Sequence, residues 1–139
     1  MIRSMLQLFA VIFCVLVSGC ATGGGSPVKQ RDMALYEYAS AIRWGEFDKA
    51  WSFVDPAVRA EHPLSSLESE RFKQVQVAGY DVKSSGETAD GELLQTVEIH
   101  LVNKFTQTER VVTDHQRWRW DVSGKRWWLL SGLPDLDSD

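Results

Sequence analysis

Cysteine and histidine are scarce in this chain of 139 residues, and several catalytic motifs are missing. The two cysteines, Cys14 and Cys20, lie in the first twenty positions, so residues 21–139 have no thiol for a disulfide or a nucleophile. The three histidines are scattered and show no metal-ligand spacing. The chain has no Gly-x-Ser-x-Gly stretch and no phosphate-binding glycine loop. The sequence therefore predicts no metal site, no cofactor and no convergent catalytic set.

An excess of positive charge is also missing. Lys and Arg number 15 against 19 Asp and Glu, which gives a net charge of −4. Binding to a phosphate backbone requires a basic excess, so nucleic acid is not an expected partner. Residues 116–130 nevertheless interleave four tryptophans with four basic residues. We interpret this stretch as the last hairpin of a twisted sheet, with one face in the core.

Only one long apolar stretch occurs, from Met5 to Val17, and it follows a basic residue, Arg3. It is shorter than the about 20 apolar residues that span a bilayer, and small residues follow it. This order of a positive region, an apolar region and small residues predicts an export signal.

The run Val17-Ser18-Gly19-Cys20 resembles the lipobox of bacterial lipoproteins, whose cysteine is acylated and becomes the new N-terminus. The resemblance implies that residues 1–19 are a signal peptide and that Cys20 carries a lipid anchor. Ala21 stands where aspartate often marks retention in the inner membrane, which favours the outer membrane, facing the periplasm. The alternative is an ordinary secretory signal with an unrelated cysteine.

Composition divides the rest of the chain into three parts. Residues 20–30 contain three consecutive glycines and a proline, and we predict that they form a flexible tether. Residues 31–134 are expected to form a single domain. Residues 135–139, DLDSD, are expected to be a frayed acidic tail.

Helical signals come first in the predicted domain. Apolar residues recur at helical spacing in two runs, Leu35, Tyr38, Ala39 and Ile42, followed by Phe47, Ala50, Trp51 and Val54. Gly45 stands where a helix C′ residue belongs, and Asp55-Pro56 closes the second run and predicts another helical turn, with Asp55 as its cap. Ser65 and Glu68 have the spacing of a capping box, which predicts a third helix to about Phe72.

Strand signals follow, because the apolar period changes to two beyond Lys73. We predict a strand from Val75 with a bulge near Ala78-Gly79, a turn over residues 84–91, and a strand with residues 93, 95, 97, 99 and 101 on one face. Further strands are predicted at residues 110–121 and 125–131. Helices followed by antiparallel strands favour an α+β fold, with the N-terminal helices packed on one face of a curved antiparallel sheet.

The opening helix pair, ALYEYASAIRWGEFDKAWSFVDPAV, and the closing strands ending RWWLLSGLP resemble the nuclear transport factor 2-like superfamily, a cone-shaped fold also called cystatin-like. The family often has a short hairpin before its third helix, which this sequence lacks. The resemblance implies a pocket at the mouth of the cone, used for binding in many members and for isomerase or dehydratase chemistry in others. It also makes a homodimer plausible. A compact outer-membrane assembly lipoprotein is the rival fold, but its glycine-rich signature is missing.

Asp114 is the weak candidate for a catalytic residue. It shares strand parity with Gln116, Trp118 and Trp120, so tryptophans facing the helices would carry Asp114 and Gln116 inward. A carboxylate beside apolar walls has a raised pKa, which suits a general base. The alternative is a solvated residue on an exposed strand.

Aromatic residues supply the other candidates for ligand or partner binding. Trp44 and Trp51 could line a pocket, although aromatics at helical spacing are more often core. In the last hairpin, a two-residue turn at Ser123-Gly124 would pair Arg119 with Trp128, leaving both on the face away from the helices. A three-residue turn would instead set Trp118 against Trp128.

Together these features predict a lipid-anchored periplasmic domain that binds a protein partner or a small apolar ligand and catalyses nothing. An isomerase- or dehydratase-like enzyme that uses Asp114 is the first alternative. An assembly factor of an envelope or secretion complex is the second, and it would need a flat aromatic patch in place of a deep pocket.

Overall fold

The structure is a computed structural model that describes residues 25–137, so the predicted export signal and Cys20 lie outside the described residues. Within that range the chain forms four helices and then four strands. The helices are α1 (Pro27–Arg43), α2 (Phe47–Trp51), α3 (Pro56–Glu61) and α4 (Ser66–Gln74). The strands are β1 (Val75–Glu87), β2 (Leu93–Asn103), β3 (Glu109–Asp121) and β4 (Arg126–Leu129). No helix in this range combines the length and the apolar character that crossing a bilayer requires.

Helix α1 begins earlier than predicted. The Ser26 side chain accepts a hydrogen bond from Lys29 N at 3.3 Å, and Pro27 occupies the first helical position. A serine cap followed by proline starts a helix because proline needs no hydrogen-bond acceptor there. The prediction of a tether over residues 20–30 is therefore wrong for positions 27–30. At the other end Gly45 adopts a φ of 71°, which confirms its role as the C′ residue.

Helices α3 and α4 begin at caps that the sequence predicts. Asp55 accepts a hydrogen bond from Ala57 N at 2.8 Å, at the start of α3. Ser65 and Glu68 form both hydrogen bonds of the capping box that opens α4. These contacts fix the residues at which α3 and α4 begin.

The sheet is antiparallel with the order β1-β2-β3-β4. Its first bulge lies between Val77 and Gly79, as predicted, and a second follows Val82. The predicted turn over residues 84–91 is wrong for positions 84–87, because β1 continues past the second bulge and pairs with β2 to Glu87, and the turn lies at positions 88–91. Helices packed on one side of this curved sheet confirm the α+β class.

The core lies between α1 and the inner face of β2 and β3. The two rings at its centre are Tyr38 of α1 and Trp118 of β3, which are both fully buried and meet edge to face with their centroids 5.2 Å apart. Alternate residues of β2 and β3 complete it: Leu93, Val97, Ile99, Leu101 and Val112. The predicted inner face of β2 is therefore confirmed.

The last hairpin has the predicted register. Trp118 pairs with Leu129, Arg119 with Trp128, Trp120 with Trp127, and Asp121 with Arg126. The connection between the paired ends is the four-residue loop 122–125, not a two-residue turn, and both lengths preserve the same register.

Two segments outside the helices and strands complete the domain. Val54 forms a parallel bridge with Leu129, so residues 53–55 cover the outer edge of β4. Leu136 is 6% exposed and belongs to the core, and Asp137 forms an ion pair with Arg71. The prediction of a frayed tail over residues 135–139 is therefore wrong for positions 135–137, because a buried leucine holds that segment on the domain.

Candidate functional site

A network of buried polar side chains centres on Gln116. The Gln116 amide nitrogen donates to Asp114 Oδ2 at 2.7 Å and to the Tyr80 hydroxyl at 2.9 Å. The Gln116 amide oxygen accepts from Trp118 Nε1 at 3.2 Å and from Gln95 Nε2 at 3.5 Å. We call these five residues the Gln116 cluster.

Strand alternation carries the cluster into the interior. Gln95 and Gln116 are register partners on β2 and β3, and Asp114 lies opposite Val97. Because side chains alternate between the two faces, these polar residues follow the same inward parity as their apolar neighbours. Asp114 is only 7% exposed and Gln116 only 2%. Both residues have the inward placement that follows if the tryptophans face the helices, and Asp114 is not the solvated strand residue of the alternative.

Burial controls the protonation of the cluster. Desolvation raises the pKa of Asp114 to about 6, against an opposing effect of the hydrogen bond from Gln116. Desolvation also raises the pKa of Tyr80 to about 12. Burial, with the charge of Asp114 as a smaller cause, raises the pKa of Tyr38, whose hydroxyl is buried without a partner among the described residues. A carboxyl with this pKa can exchange a proton near neutral pH, but only 7% of the Asp114 surface is exposed.

Trp51 lies on a groove of about 420 Å³ between α3, α4 and the C-terminal segment. We call it the Trp51 groove. Its apolar walls are Trp51, Val58, Leu64, Phe72, Leu130 and Leu133. All of these except Phe72 are half-buried, so the groove presents apolar surface to the outside. Charged groups, including the Arg71–Asp137 ion pair, also line it.

Trp44 lies on a different surface, at a groove of about 590 Å³ between α1 and β1, the strand at the edge of the sheet. The Trp44 side chain is 80% exposed and Tyr36, on the same groove, is 76% exposed. Arg43 Nη2 donates to the backbone carbonyl of Tyr80 at 2.9 Å. Trp44 is thus exposed to solvent and is not a core residue.

Trp128 and Arg119 lie on the outer face of the last hairpin but do not stack on each other. The guanidinium of Arg126 lies 3.7 Å from the centre of the Trp128 ring, and Trp128 Nε1 donates to Asp121 at 3.3 Å. Arg119 instead donates to Asp55 at 2.8 Å. The predicted strand pairing of Arg119 with Trp128 is present, but the Arg119 guanidinium bonds to the buried carboxylate of Asp55, and Arg126 is the residue that lies over the Trp128 ring.

The structure thus brings together Asp114 and Gln116 and separates Trp44, Trp51 and Trp128. Sequence reasoning missed Tyr80 and Gln95 as members of the cluster. The parity of Gln95 with the apolar residues of β2 was an available signal. The predicted bulge near Ala78-Gly79 was the available signal for Tyr80, since it decides which way that side chain faces.

Two exposed polar pairs join β1 and β2 on the outer face of the sheet. His100 lies 3.2 Å from Asp81, and Lys83 lies 2.7 Å from Glu98. Across residues 25–137, no three His, Cys, Asp or Glu side chains are grouped so that they could hold a metal ion. Comparisons of the chain with protein-family models, with curated proteins and with solved structures gave no match.

Proposed function

We propose that this protein is a lipid-anchored binding domain of the bacterial outer membrane, facing the periplasm, and that it catalyses no reaction. Its ligand is a small apolar molecule, which binds in the Trp51 groove. The observation that carries the proposal is the groove itself, an open volume of about 420 Å³ with apolar side chains on several walls.

Size and lining support this assignment. Small-molecule sites are concave, mostly apolar and roughly 300–1,000 Å³ in volume, with a few polar groups that orient the ligand. In the Trp51 groove the apolar walls come from α2, α3, α4, the loop before α4 and the C-terminal segment, and Arg71 and His62 are among the polar groups on its lining. A neutral, compact apolar molecule would bury the half-exposed walls and gain the corresponding hydrophobic free energy.

The anchor is tested through Cys20. Labelling of growing cells with a palmitate analogue, followed by mass spectrometry of the N-terminal peptide, is expected to find acyl chains on Cys20. The Cys20→Ser variant is expected to lose the label and to leave the membrane fraction. Label that persists in the variant, or an unacylated N-terminus in the parent chain, would refute the anchor.

Ligand binding is tested by titration with a neutral fluorescent probe, N-phenyl-1-naphthylamine. Val58→Ser places a hydroxyl in the groove wall, while Val111→Ser makes the same change on the outer face of β3, where Val111 is 46% exposed. We expect Val58→Ser to weaken probe binding by roughly tenfold, which corresponds to about 1.4 kcal/mol, and Val111→Ser to leave it unchanged. Equal effects of the two substitutions, or no saturable binding to the parent chain, would contradict the proposed site.

The enzyme hypothesis is the second candidate because Asp114 has a pKa of about 6 and shares the Gln116 amide with the Tyr80 hydroxyl. Two observations weigh against it. Asp114 is only 7% exposed, and one of its oxygens already accepts a hydrogen bond from the chain. If a substrate binds at Asp114, the Asp114→Asn variant should differ from the parent chain in its affinity for the probe or in how strongly the substrate competes with the probe. If the groove is the site, that variant should bind the probe as the parent does.

A further inference from the structure

Four residues at the outward side of α1 form a surface that the proposed ligand site does not use. Met33, Tyr36, Ser40 and Trp44 follow each other at spacings of three and four, so they share one side of the helix. We call this surface the aromatic face. Met33 is 53% exposed, Tyr36 76% and Trp44 80%. Large apolar side chains grouped at the surface in this way mark an interaction site.

We propose that the aromatic face lies on the phospholipid bilayer that holds the anchor, with Tyr36 and Trp44 in the interfacial region. This inference rests on the lipid anchor of the proposed function, and it is independent of the ligand in the Trp51 groove. Tyrosine and tryptophan prefer the membrane–water interface, because their rings are apolar on one side and carry a polar group on the other.

Chain length places α1 near the membrane. Five residue steps separate Cys20 from Gly25, and seven separate it from Pro27. Even fully extended, at about 3.6 Å per residue, these spans reach only about 18 Å and about 25 Å. A lipid on Cys20 therefore keeps the start of α1 within that distance of the interface. The helix that carries the aromatic face is the element closest in sequence to the anchor.

A weak contact is sufficient under this constraint. The anchor makes the approach of the face to the bilayer an intramolecular event with a high effective concentration. The exposed charges beside the face are Lys29 and Arg43 of one sign and Asp32, Glu37 and Asp81 of the other, so the surface has no basic excess that would require anionic lipid. It is therefore suited to zwitterionic phospholipid.

An added peptide strand is a less favourable occupant of the same region. Such a strand would need free backbone groups on the edge of β1 beside the aromatic face. Arg43 already donates to the carbonyl of Tyr80 there, at 2.9 Å. The bulges after Val77 and Val82 interrupt the edge on either side, as in edges that are protected against pairing.

The test uses the full lipidated chain in phosphatidylcholine vesicles with an environment-sensitive fluorophore on one introduced cysteine. Cleavage before Cys20 removes Cys14, and acylation blocks Cys20, so the introduced cysteine is the reactive thiol. Ser40→Cys reports from the middle of the aromatic face with both rings intact. Thr113→Cys reports from the outer face of β3, where position 113 is exposed and points away from the helices. Lipids with a nitroxide near the headgroup quench a fluorophore that touches the bilayer.

We expect a blue-shifted emission and strong quenching at position 40, and neither at position 113. Adding Tyr36→Ser and Trp44→Ser to the Ser40→Cys chain should abolish the shift and the quenching, and because both side chains are exposed the thermal unfolding curve should not move. Equal quenching at positions 40 and 113, or quenching that survives loss of both rings, would overturn the proposal. Shielding at position 40 that appears only after envelope proteins are added would overturn it in favour of a protein partner. Failure of the anchor itself would be recognised separately, as an unacylated N-terminus and chains that do not float with the vesicles.

Discussion

The side chains of the Gln116 cluster are buried and hydrogen-bonded to each other, whereas those of the Trp51 groove are partly exposed around an open space. In the cluster each polar side chain hydrogen-bonds to another residue of the cluster, and Asp114 is almost completely covered. In the groove, apolar side chains remain half-exposed around an open volume. Buried polar atoms that are satisfied internally contribute to a specific core, whereas an open apolar concavity gains free energy when something fills it. The contrast favours a structural role for the cluster and a binding role for the groove.

Gln116→Leu is the substitution for which this comparison predicts the largest loss of stability. It removes the hydrogen-bond partner of Asp114, Tyr80 and Trp118 at once and leaves their polar atoms buried. Each unsatisfied buried group costs about 1–3 kcal/mol, so the free energy of unfolding should fall by about 3–5 kcal/mol. Urea denaturation measures the loss. Gln95→Leu, which removes one 3.5 Å contact, is the control with a much smaller expected change. A tolerated Gln116→Leu would show that the network does not stabilise the core.

Asp114→Asn separates the charge of the cluster from its hydrogen bonds. The Asp114 carboxyl has a pKa of about 6 in the folded chain against an ordinary value of 3.8, so folding tightens its hold on a proton. Its contribution to stability is therefore greatest below pH 3.8, declines between pH 3.8 and about 6, and is level above that range. The decline amounts to about 2–3 kcal/mol.

The measurement is the free energy of unfolding of both chains from pH 3 to pH 8. An asparagine oxygen can still accept from Gln116, so Asp114→Asn should be more stable than the parent by about 2 kcal/mol at pH 7 and should converge with it in acid. Other carboxyls, such as Glu68, have lowered pKa values and act in the opposite direction, but they are common to both chains and cancel in the difference. Parallel curves for the two chains would refute a raised pKa.

Leu136→Ala tests the wall of the groove. Leu136 is 6% exposed and its removal leaves a cavity at the end of the C-terminal segment, which should lower the free energy of unfolding by about 2 kcal/mol. Loosening of this segment should also weaken probe binding in the Trp51 groove. Leu67→Ala is the matched control, since Leu67 is 60% exposed and should change neither property. An unchanged melting curve for Leu136→Ala would mean that the segment contributes no core.

Arg71→Gln should have the smallest effect. The Arg71–Asp137 ion pair is 43% and 55% exposed on its two side chains, and exposed pairs contribute about 0–1 kcal/mol. We expect a change in the free energy of unfolding below about 1 kcal/mol that disappears at high salt. Hydrogen exchange of the amides at positions 133 and 135–137 is the finer measurement. Exchange that is as slow in the variant as in the parent would show that Leu136, and not the ion pair, holds the segment.

Rules that involve residues close together in the sequence account for the features that could be predicted. The helix faces, the capping box at Ser65 and the register of the last hairpin depend on residues a few positions apart, and the structure has all three. The inward placement of Asp114 and Gln116 followed from strand alternation alone. The four-residue loop 122–125 leaves the predicted register unchanged, because a two-residue turn at Ser123-Gly124 would also pair Asp121 with Arg126.

Contacts between residues far apart in the sequence account for the features that could not be predicted. Arg119 is drawn from Trp128 by Asp55, a residue 64 positions away whose burial only the fold determines. The Trp51 groove exists because the C-terminal segment folds back beside α3 and α4, which no spacing in the sequence indicates. The early start of α1 is different, because Ser26-Pro27 is a local signal that the neighbouring glycines obscured.

The bridge between Val54 and Leu129 has a consequence for the order in which the domain folds. Trp127 Nε1 also donates to the carbonyl of Pro27, a contact that spans 100 positions. The first helix and the residues after α2 therefore dock on the last strand to be synthesised. Contacts of such separation close slowly, since the intervening chain must be ordered before they form. The helical half is left without its core partner until almost the whole chain is available, so the domain is expected to fold in one late step, and a chain that ends before β4 should not fold at all.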